Sequence, residues 1–318
     1  MALKHGGIIR IAYVRLALND SRLRQAQFFY CDSLGLVETF RQPDRLYLRC
    51  WHEAFPYSVV LDEAPENRLV EIGFQVRDAD DLETLEAAVN AAGVAATREP
   101  AGALSGMGES VTFAIPGGPT LRLFAELPQI GYMTGFDSPD WVTPRPLRGT
   151  PAPFFLNHAG ITVSDPQAAV DFLTGALGFV VSERIDSDDG TRLLSALLFR
   201  MSKEAGGQEL ALFPGPAGRL HHIAFTKEDP NDILIDGQYL REAGVNIDIY
   251  GPTRQSYGKT FSLHFHDPFG IRLELCSGGR ITEVHPQFQS VRWTESQLGK
   301  ALSYFDRDLR TEFLQPSL

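Results

Sequence analysis

The sequence predicts an α+β protein: four βαβββ modules paired into two domains. Three observations predict it. At 318 residues the chain exceeds what a single hydrophobic core usually serves, so two globular units are the natural division. Strand-like alternation and amphipathic helical stretches recur in the same order four times. Between the second and third recurrence lies GFDSPDWVTPRPLRGTPAPF, whose density of Pro and Gly marks a connector and not core structure. The chain therefore divides into an N-terminal module pair over 1–135, a linker over 136–153, a C-terminal module pair over 154–280 and an extension over 281–318.

In the first module IIRIAYVRLAL alternates as a strand, SRLRQAQFFYCDSLG (21–35) carries the apolar spacing of a helix, and LVETF, RLYLRC and YSVVLDE follow as three short strands. The second module repeats this order in VEIGFQV, DLETLEAAVNAAG, VAATRE, ESVTFAI and PTLRLFAEL, with Gly93 placed to end the helix. LNHAGITV, PQAAVDFLTGALG, VVSERI, LLSALLF and ELALF form the third module. LHHIAFTK, NDILIDGQYLREAG, NIDIYG, KTFSLHF and IRLELC form the fourth. In the extension, GKALSYFDRDLRTEFL (299–314) has apolar positions at helical spacing, predicting a helix able to close over a pocket or meet another subunit.

A formal net charge of −11, with no Lys/Arg stripe, argues against a nucleic-acid partner. No apolar run approaches the roughly 20 residues of a membrane span. The start MALKHGGIIRIAYV lacks the apolar core and small-residue cleavage site of a signal peptide. Cys31, Cys50 and Cys276 form an odd, widely spaced set without CxxC, which fits free thiols in a reducing cytoplasm.

Metal-binding residue types concentrate in the C-terminal pair. His158, His222 and Glu274 sit on first or last strands of their modules. Those strands lie side by side near the centre of a cupped sheet, so the three side chains can converge inside the cup. Two neutral imidazoles and one carboxylate hold Fe(II) or Mn(II) while leaving neighbouring coordination positions open for substrate and dioxygen. Aligning the two halves sets Tyr13 against His158, Glu71 against His222 and Arg122 against Glu274. A guanidinium has donors only and cannot ligate a cation, so the N-terminal pair packs or encloses substrate. Strand alternation places His221 and His222 on opposite faces, so at most one of them is a ligand. By the same alternation Glu274 shares its face with Arg272 and Cys276, leaving Ile271, Leu273 and Leu275 to pack against helices.

These segments resemble the type I extradiol ring-cleaving dioxygenases of the vicinal oxygen chelate superfamily, particularly the catechol and homoprotocatechuate 2,3-dioxygenases, which have a glyoxalase/bleomycin-resistance-like fold. The resemblance covers nearly the whole chain. RIAYVRLALND, FFYCDSLGLVET and RLYLRCWHE carry it near the start, and PGPAGRLHHIAF, GPTR and HDPFGIRLELCSGG carry it later. RWTESQLGKALSYFDRDLRTEFL is especially close to the catechol 2,3-dioxygenase C-terminus. By carry-over the metal ligands fall on His158, His222 and Glu274, with His222 selected from the His pair. The resemblance implies Fe(II), with Mn(II) accepted by the same donors, and O2 as co-substrate. It also implies a small aromatic diol opened beside its hydroxyls to a semialdehyde-type product, and a homo-oligomer, most often a tetramer.

Around the metal the chain departs from the family's pattern. Gln208 stands at an acid-base His, Gln255 replaces a substrate-binding His in GPTRQ, and His264 replaces the Tyr before the D-P-x-G turn. A Gln hydrogen-bonds but shuttles no proton. Two readings follow. In one, ring cleavage continues with His264 as proton donor or acceptor, and Gln208 and Gln255 orient substrate or dioxygen. In the other, the scaffold runs a non-oxygenase metal-dependent reaction on a chelating substrate, as an isomerase, lyase or hydrolase. Arg254 offers its fork to a substrate carboxylate or holds its loop by a salt bridge. Tyr250 and Tyr257 flank the same loop, either hydrogen-bonding a substrate oxygen or packing. His266 reads as a rim residue, and Cys276 as near the metal or as a small buried apolar side chain.

Overall fold

Alternating apolar strands assemble into two sheets in the structure, a computed structural model that describes residues 7–19, 22–131, 150, 152–200, 208–282, 287–305 and 308–318. The first sheet contains β1 (Ile8–Asn19), β2 (Val37–Gln42), β3 (Arg45–Arg49), β4 (Val59–Ala64), β5 (Arg68–Val76), β6 (Thr97–Glu99), β7 (Ser110–Ala114) and β8 (Thr120–Phe124), in the order β2-β3-β4-β1-β5-β8-β7-β6. The second contains β9 (Leu156–Val163), β10 (Val180–Asp186), β11 (Leu193–Phe199), β12 (Leu210–Pro214), β13 (Arg219–Thr226), β14 (Asn246–Ile247), β15 (Thr253–Arg254), β16 (Thr260–His266), β17 (Arg272–Gly278) and β18 (Val291–Thr294). Its order is β14-β16-β17-β13-β9-β12-β11-β10-β18, with β15 also paired to β16.

The four central strands of each sheet repeat one pattern. β1 and β5 run antiparallel, each with a parallel outer neighbour, β4 or β8. β9 and β13 do the same with β12 and β17. Register makes the equivalence residue by residue. Tyr13 pairs with Gly73 and Gly73 with Arg122, as His158 pairs with Ala224 and Ala224 with Glu274. Arg15 pairs with Glu71 as Gly160 pairs with His222. The alignment of halves made from sequence is thus the alignment of the backbones.

Three helices share one design. In α2 (Ala79–Ala91), α3 (Pro166–Gly175) and α4 (Pro230–Glu242) an Asp side chain, from Asp78, Asp165 or Asp229, accepts an early backbone N–H. The helix α1 (Leu23–Gln27), predicted to run unbroken over 21–35, instead widens to a π-helical turn over Phe28–Ser33. That turn buries Phe29 and Tyr30, and the Tyr30 hydroxyl donates to Asp267 Oδ2 of the other sheet at 2.8 Å. A π turn inserts one residue and re-aims those that follow, an event apolar spacing does not reveal.

Leu, Ile, Val and Phe from both sheets and the helices between them form one continuous buried cluster. Polar ties cross the same junction: Glu53 Oε1 accepts from Leu156 N at 2.8 Å, and Glu209 accepts from Ile11 N and Arg200 N at 2.9 and 2.7 Å. Glu209, adjacent to Gln208, is therefore a structural clamp.

The extension departs from prediction. Its helix, α5, covers only Leu298–Leu302 and ends at Ser303, whose backbone is extended. Tyr304 N donates to Arg254 O at 2.8 Å, and a 3-10 turn follows at Thr311–Leu314. β18 had no counterpart in the module pattern; it adds to the sheet edge parallel to β10. Of the predicted linker, 136–153, only 150, 152 and 153 lie within the described residues.

Candidate metal centre

Pairing brings the three sequence-predicted ligands together. His158 on β9, His222 on β13 and Glu274 on β17 are each at most 3% exposed. His158 Nε2 and His222 Nε2 lie 2.9 Å apart, and Glu274 Oε2 lies 3.3 and 3.2 Å from them. Among the described residues this is the group of His, Cys, Asp and Glu atoms arranged to hold a metal ion.

The protons around the imidazoles decide whether these atoms present lone pairs. Asn157 Nδ2 donates to Thr226 Oγ1 at 2.8 Å, which turns Asn157 Oδ1 toward His158 Nδ1, also at 2.8 Å. His158 therefore carries its hydrogen on Nδ1 and offers Nε2 bare. His222 Nδ1 lies 2.7 Å from His221 Nδ1. Burial pushes the His222 imidazole down to about 3, keeping it neutral. Burial alone would raise Glu274, but the neighbouring His264, His158 and His222 imidazoles hold its carboxyl well below the usual range. Glu274 Oε1 is buried and has no hydrogen-bond partner among the described residues. Two imidazole nitrogens and a carboxylate with an orphaned oxygen form a donor set suited to a divalent cation.

The N-terminal counterpart is filled by protein. Arg122 Nε and Nη2 donate to Glu71 Oε1 and Oε2 at 3.1 and 3.0 Å, and the Tyr13 hydroxyl donates to Glu71 Oε1 at 2.8 Å. Tyr13, Tyr47, Tyr57 and Phe124 pack together around that pair. The guanidinium stands at the position equivalent to Glu274, paired with the Glu71 carboxylate.

His264 pairs directly with Glu274 across β16 and β17, and its Nε2 lies 3.4 Å from Glu274 Oε2. It lines a hollow beside the triad together with Gln208, Gln255, Tyr257, Phe213 and Phe313. Ser195 Oγ donates to Leu212 O at 2.7 Å, so the Tyr257 hydroxyl, 3.0 Å from Ser195 Oγ, donates there and keeps its lone pairs as acceptors. Two predicted substrate residues lie elsewhere. Arg254 is exposed on β15 and does not line the hollow. Tyr250 is tied to the extension, donating to Asp308 O at 3.1 Å and accepting from Arg310 N at 2.9 Å. Cys276 is buried outside the hollow, its Sγ 3.5 Å from Phe225 O, and His266 Nε2 sits 4.0 Å from Asp248 Oδ2.

One prediction fails outright. His221 and His222 do not face opposite ways: the β9–β13 register slips between Leu220 and His222, a bulge that sets two residues against one. The N-terminal half slips at the equivalent place, between Leu69 and Glu71. Both His rings therefore lie on the cup side, with His221 stacked on Phe213 at 4.3 Å. Sequence reasoning also missed Asn157 and Phe313, which lack a metal-ligand signature; the HH doublet was the visible signal for His221.

Comparison with known proteins agrees with this architecture. Residues 155–275 match the Glyoxalase/Bleomycin resistance protein/Dioxygenase superfamily, and 71–128 match the catechol 2,3-dioxygenase-like N-terminal domain. A metapyrocatechase of Pseudomonas sp. (strain CF600) is 34% identical over 97% of this chain and 98% of its own length. A manganese-dependent 2,3-dihydroxybiphenyl 1,2-dioxygenase of Geobacillus genomosp. 3 is 26% identical over 93% of each chain. An iron-dependent extradiol dioxygenase of Rhodococcus jostii (strain RHA1) is 26% identical over 86% of this chain and 90% of its own. The crystal structure of the 2,3-dioxygenase LapB from Pseudomonas sp. KL28 superposes with a TM-score of 0.80 at 31% identity, covering 91% of this chain and 98% of that one. The protein belongs to the extradiol ring-cleaving dioxygenases of the vicinal oxygen chelate superfamily.

Proposed function

We propose that the protein opens the ring of a catecholic substrate beside its hydroxyls with O2, using Fe(II) held by His158, His222 and Glu274. The observation that carries this is the convergence of two imidazole Nε2 atoms on a carboxylate whose second oxygen has no partner among the described residues. Fe(II), when bound, supplies Lewis-acid and one-electron chemistry toward a chelated diol and dioxygen; the manganese-dependent relative makes Mn(II) the second candidate for the same donors. The reaction balances without an added reductant, because both oxygen atoms end in the semialdehyde-type product.

The remaining roles belong to the lining. His264 moves the proton, as the ionisable side chain of the hollow nearest the triad. Gln208 and Gln255 orient substrate or dioxygen by hydrogen bonding, and the Tyr257 oxygen accepts from a substrate hydroxyl. Phe213, Leu197, Leu302 and Phe313 give the ring apolar walls. The described residues lining the hollow include no Lys or Arg, which favours a neutral catechol over a catechol carboxylate. We assign the metal chemistry to residues 154–280 and an enclosing role to 1–135. The enzyme works in the reducing cytoplasm, which suits both ferrous iron and its three free thiols, as the homo-oligomer that the resemblance implies.

The test is oxygen uptake by anaerobically ferrous-loaded protein given a panel of catechols, with absorbance scanning. Uptake of one O2 per substrate with a new visible chromophore supports ring cleavage. Tight metal and catechol binding without uptake across the panel refutes it.

A further inference from the structure

The end of the chain is bound to the strand that carries a metal ligand. Ser317 N donates to Leu220 O at 2.8 Å, one residue before the HH doublet, and Leu318 joins the main core cluster. Phe313 is 2% exposed; its ring stands edge-on to His221 and His264, with centroids 5.2 and 4.8 Å away. Its carbonyl oxygen lies 2.6 Å from His221 Nε2.

We propose that this tail, residues 311–318, is a working part of the metal centre: the Phe313 carbonyl, acting through His221, holds His222 in the tautomer that a metal ligand requires. The proposal rests on the metal-centre reading above and assigns His221 and the tail as positioning elements. A carbonyl has no hydrogen to give, so the contact requires N–H on His221 Nε2. With its hydrogen on Nε2, the buried ring presents Nδ1 as the acceptor toward His222. His222 Nδ1, 2.7 Å away, must bring the hydrogen, which leaves His222 Nε2 bare and aimed at His158 and Glu274.

The opposite tautomer has a waiting partner. Arg272 Nη1 lies 3.2 Å from the same His221 Nε2, and as a cationic donor it favours a bare nitrogen there. That arrangement would put the hydrogen on His221 Nδ1, turn His222 Nδ1 into an acceptor, and leave N–H on His222 Nε2, pointing into the metal position. The docked tail opposes this twice. It supplies the competing carbonyl, and Gln315 O, 2.8 Å from Arg272 Nη1, competes with His221 Nε2 for that donor. Partners that fix ligand orientation typically change metal affinity by about 10–100-fold.

The experiment compares the full chain with a form ending at Arg310 and with His221→Phe and His221→Gln variants. Fe(II) affinity is measured anaerobically by chelator competition, and the His222 tautomer by 15N NMR of the metal-free proteins. A Gln at 221 keeps an acceptor for His222 and a donor for Phe313; a Phe keeps the packing but neither polar role. The proposal expects His222 protonated on Nδ1 in the full chain and on Nε2 in the shortened form. It expects Fe(II) binding weakened about 10–100-fold in the shortened form and in His221→Phe, and retained within about threefold in His221→Gln. Equal affinity in all four proteins, or an Nε2–H tautomer in the full chain, overturns it. Should the full chain bind no iron, the metal-centre reading fails, while the tautomer measurement still decides whether the relay exists.

Discussion

Gly160 faces His222 across the central strand pair, and an added methyl there tests how tightly the ligand is seated. A Cβ at this position would lie 2.3 Å from both Cε1 and Nδ1 of His222, where ordinary contact begins near 3.4 Å. The ring would have to retreat by about 1.1 Å, the difference between those distances. It has nowhere to go: His221, His264 and Phe213 crowd it at centroid distances of 4.9, 5.3 and 6.2 Å. Metal–nitrogen bonds tolerate errors of roughly 0.2 Å, so such a shift removes one of three protein ligands. We expect Gly160→Ala to weaken Fe(II) binding by at least about 100-fold, or about 2.8 kcal/mol at 1.4 kcal/mol per decade. Chelator competition under nitrogen reads the affinity. Gly73→Ala is the control, since its Cβ would meet the Tyr13 ring at 2.0 Å in the half where Arg122 pairs with Glu71. That variant should lose stability and keep its iron affinity. Unchanged iron binding in a folded Gly160→Ala protein would refute the placement of His222.

Arg122→Leu leaves buried Glu71 with only Arg15, 3.5 Å away, as a cationic partner and should cost about 3–5 kcal/mol in denaturant unfolding, with iron affinity unchanged; a loss under 1 kcal/mol would show the pair is not structural. Burial raises the Asp267 carboxyl from 3.8 to about 6 against hydrogen bonds from Ile271, Tyr30 and Phe269. The folded state thus holds that proton more tightly, so the contribution is full below pH 3.8 and is lost as pH rises through about 6. Asp267→Asn should remove that decline, and parallel melting-temperature profiles for the two proteins would contradict the shift. His264→Phe should lower turnover by roughly 100-fold or more, with iron retained; unchanged turnover rules out proton transfer by His264. Unsubstituted and alkyl catechols should show higher kcat/KM than carboxylated ones of similar size, and the reverse order would mean a cation reaches the hollow that the lining does not show.

The sequence carried the fold because each module repeats the same periodic text, and β1, β5, β9 and β13 need only alternation to be recognised. It carried the triad because His158, His222 and Glu274 survive comparison with a half that has Tyr13, Glu71 and Arg122 in their places. Alternation failed at His221 because a bulge changes the face of a residue without changing any residue type. The π turn at Phe28–Ser33 escaped notice for the same reason. The tail misled differently. Its apolar spacing is helical, yet Ser303 leaves the helix and Phe313 is buried by tertiary contact with His221 and His264. Backbone carbonyls such as that of Phe313 carry no sequence signature, so their part in setting a tautomer is visible only in three dimensions.

The most direct test of the central claim is isotopic. Ferrous-loaded protein is given a neutral catechol under 18O2, and the ring-opened product is weighed by mass spectrometry. Incorporation of two labelled atoms per product in the native protein, abolished in a folded His158→Ala variant, is the predicted result. Product lacking both labels, or full activity in that variant, would contradict it.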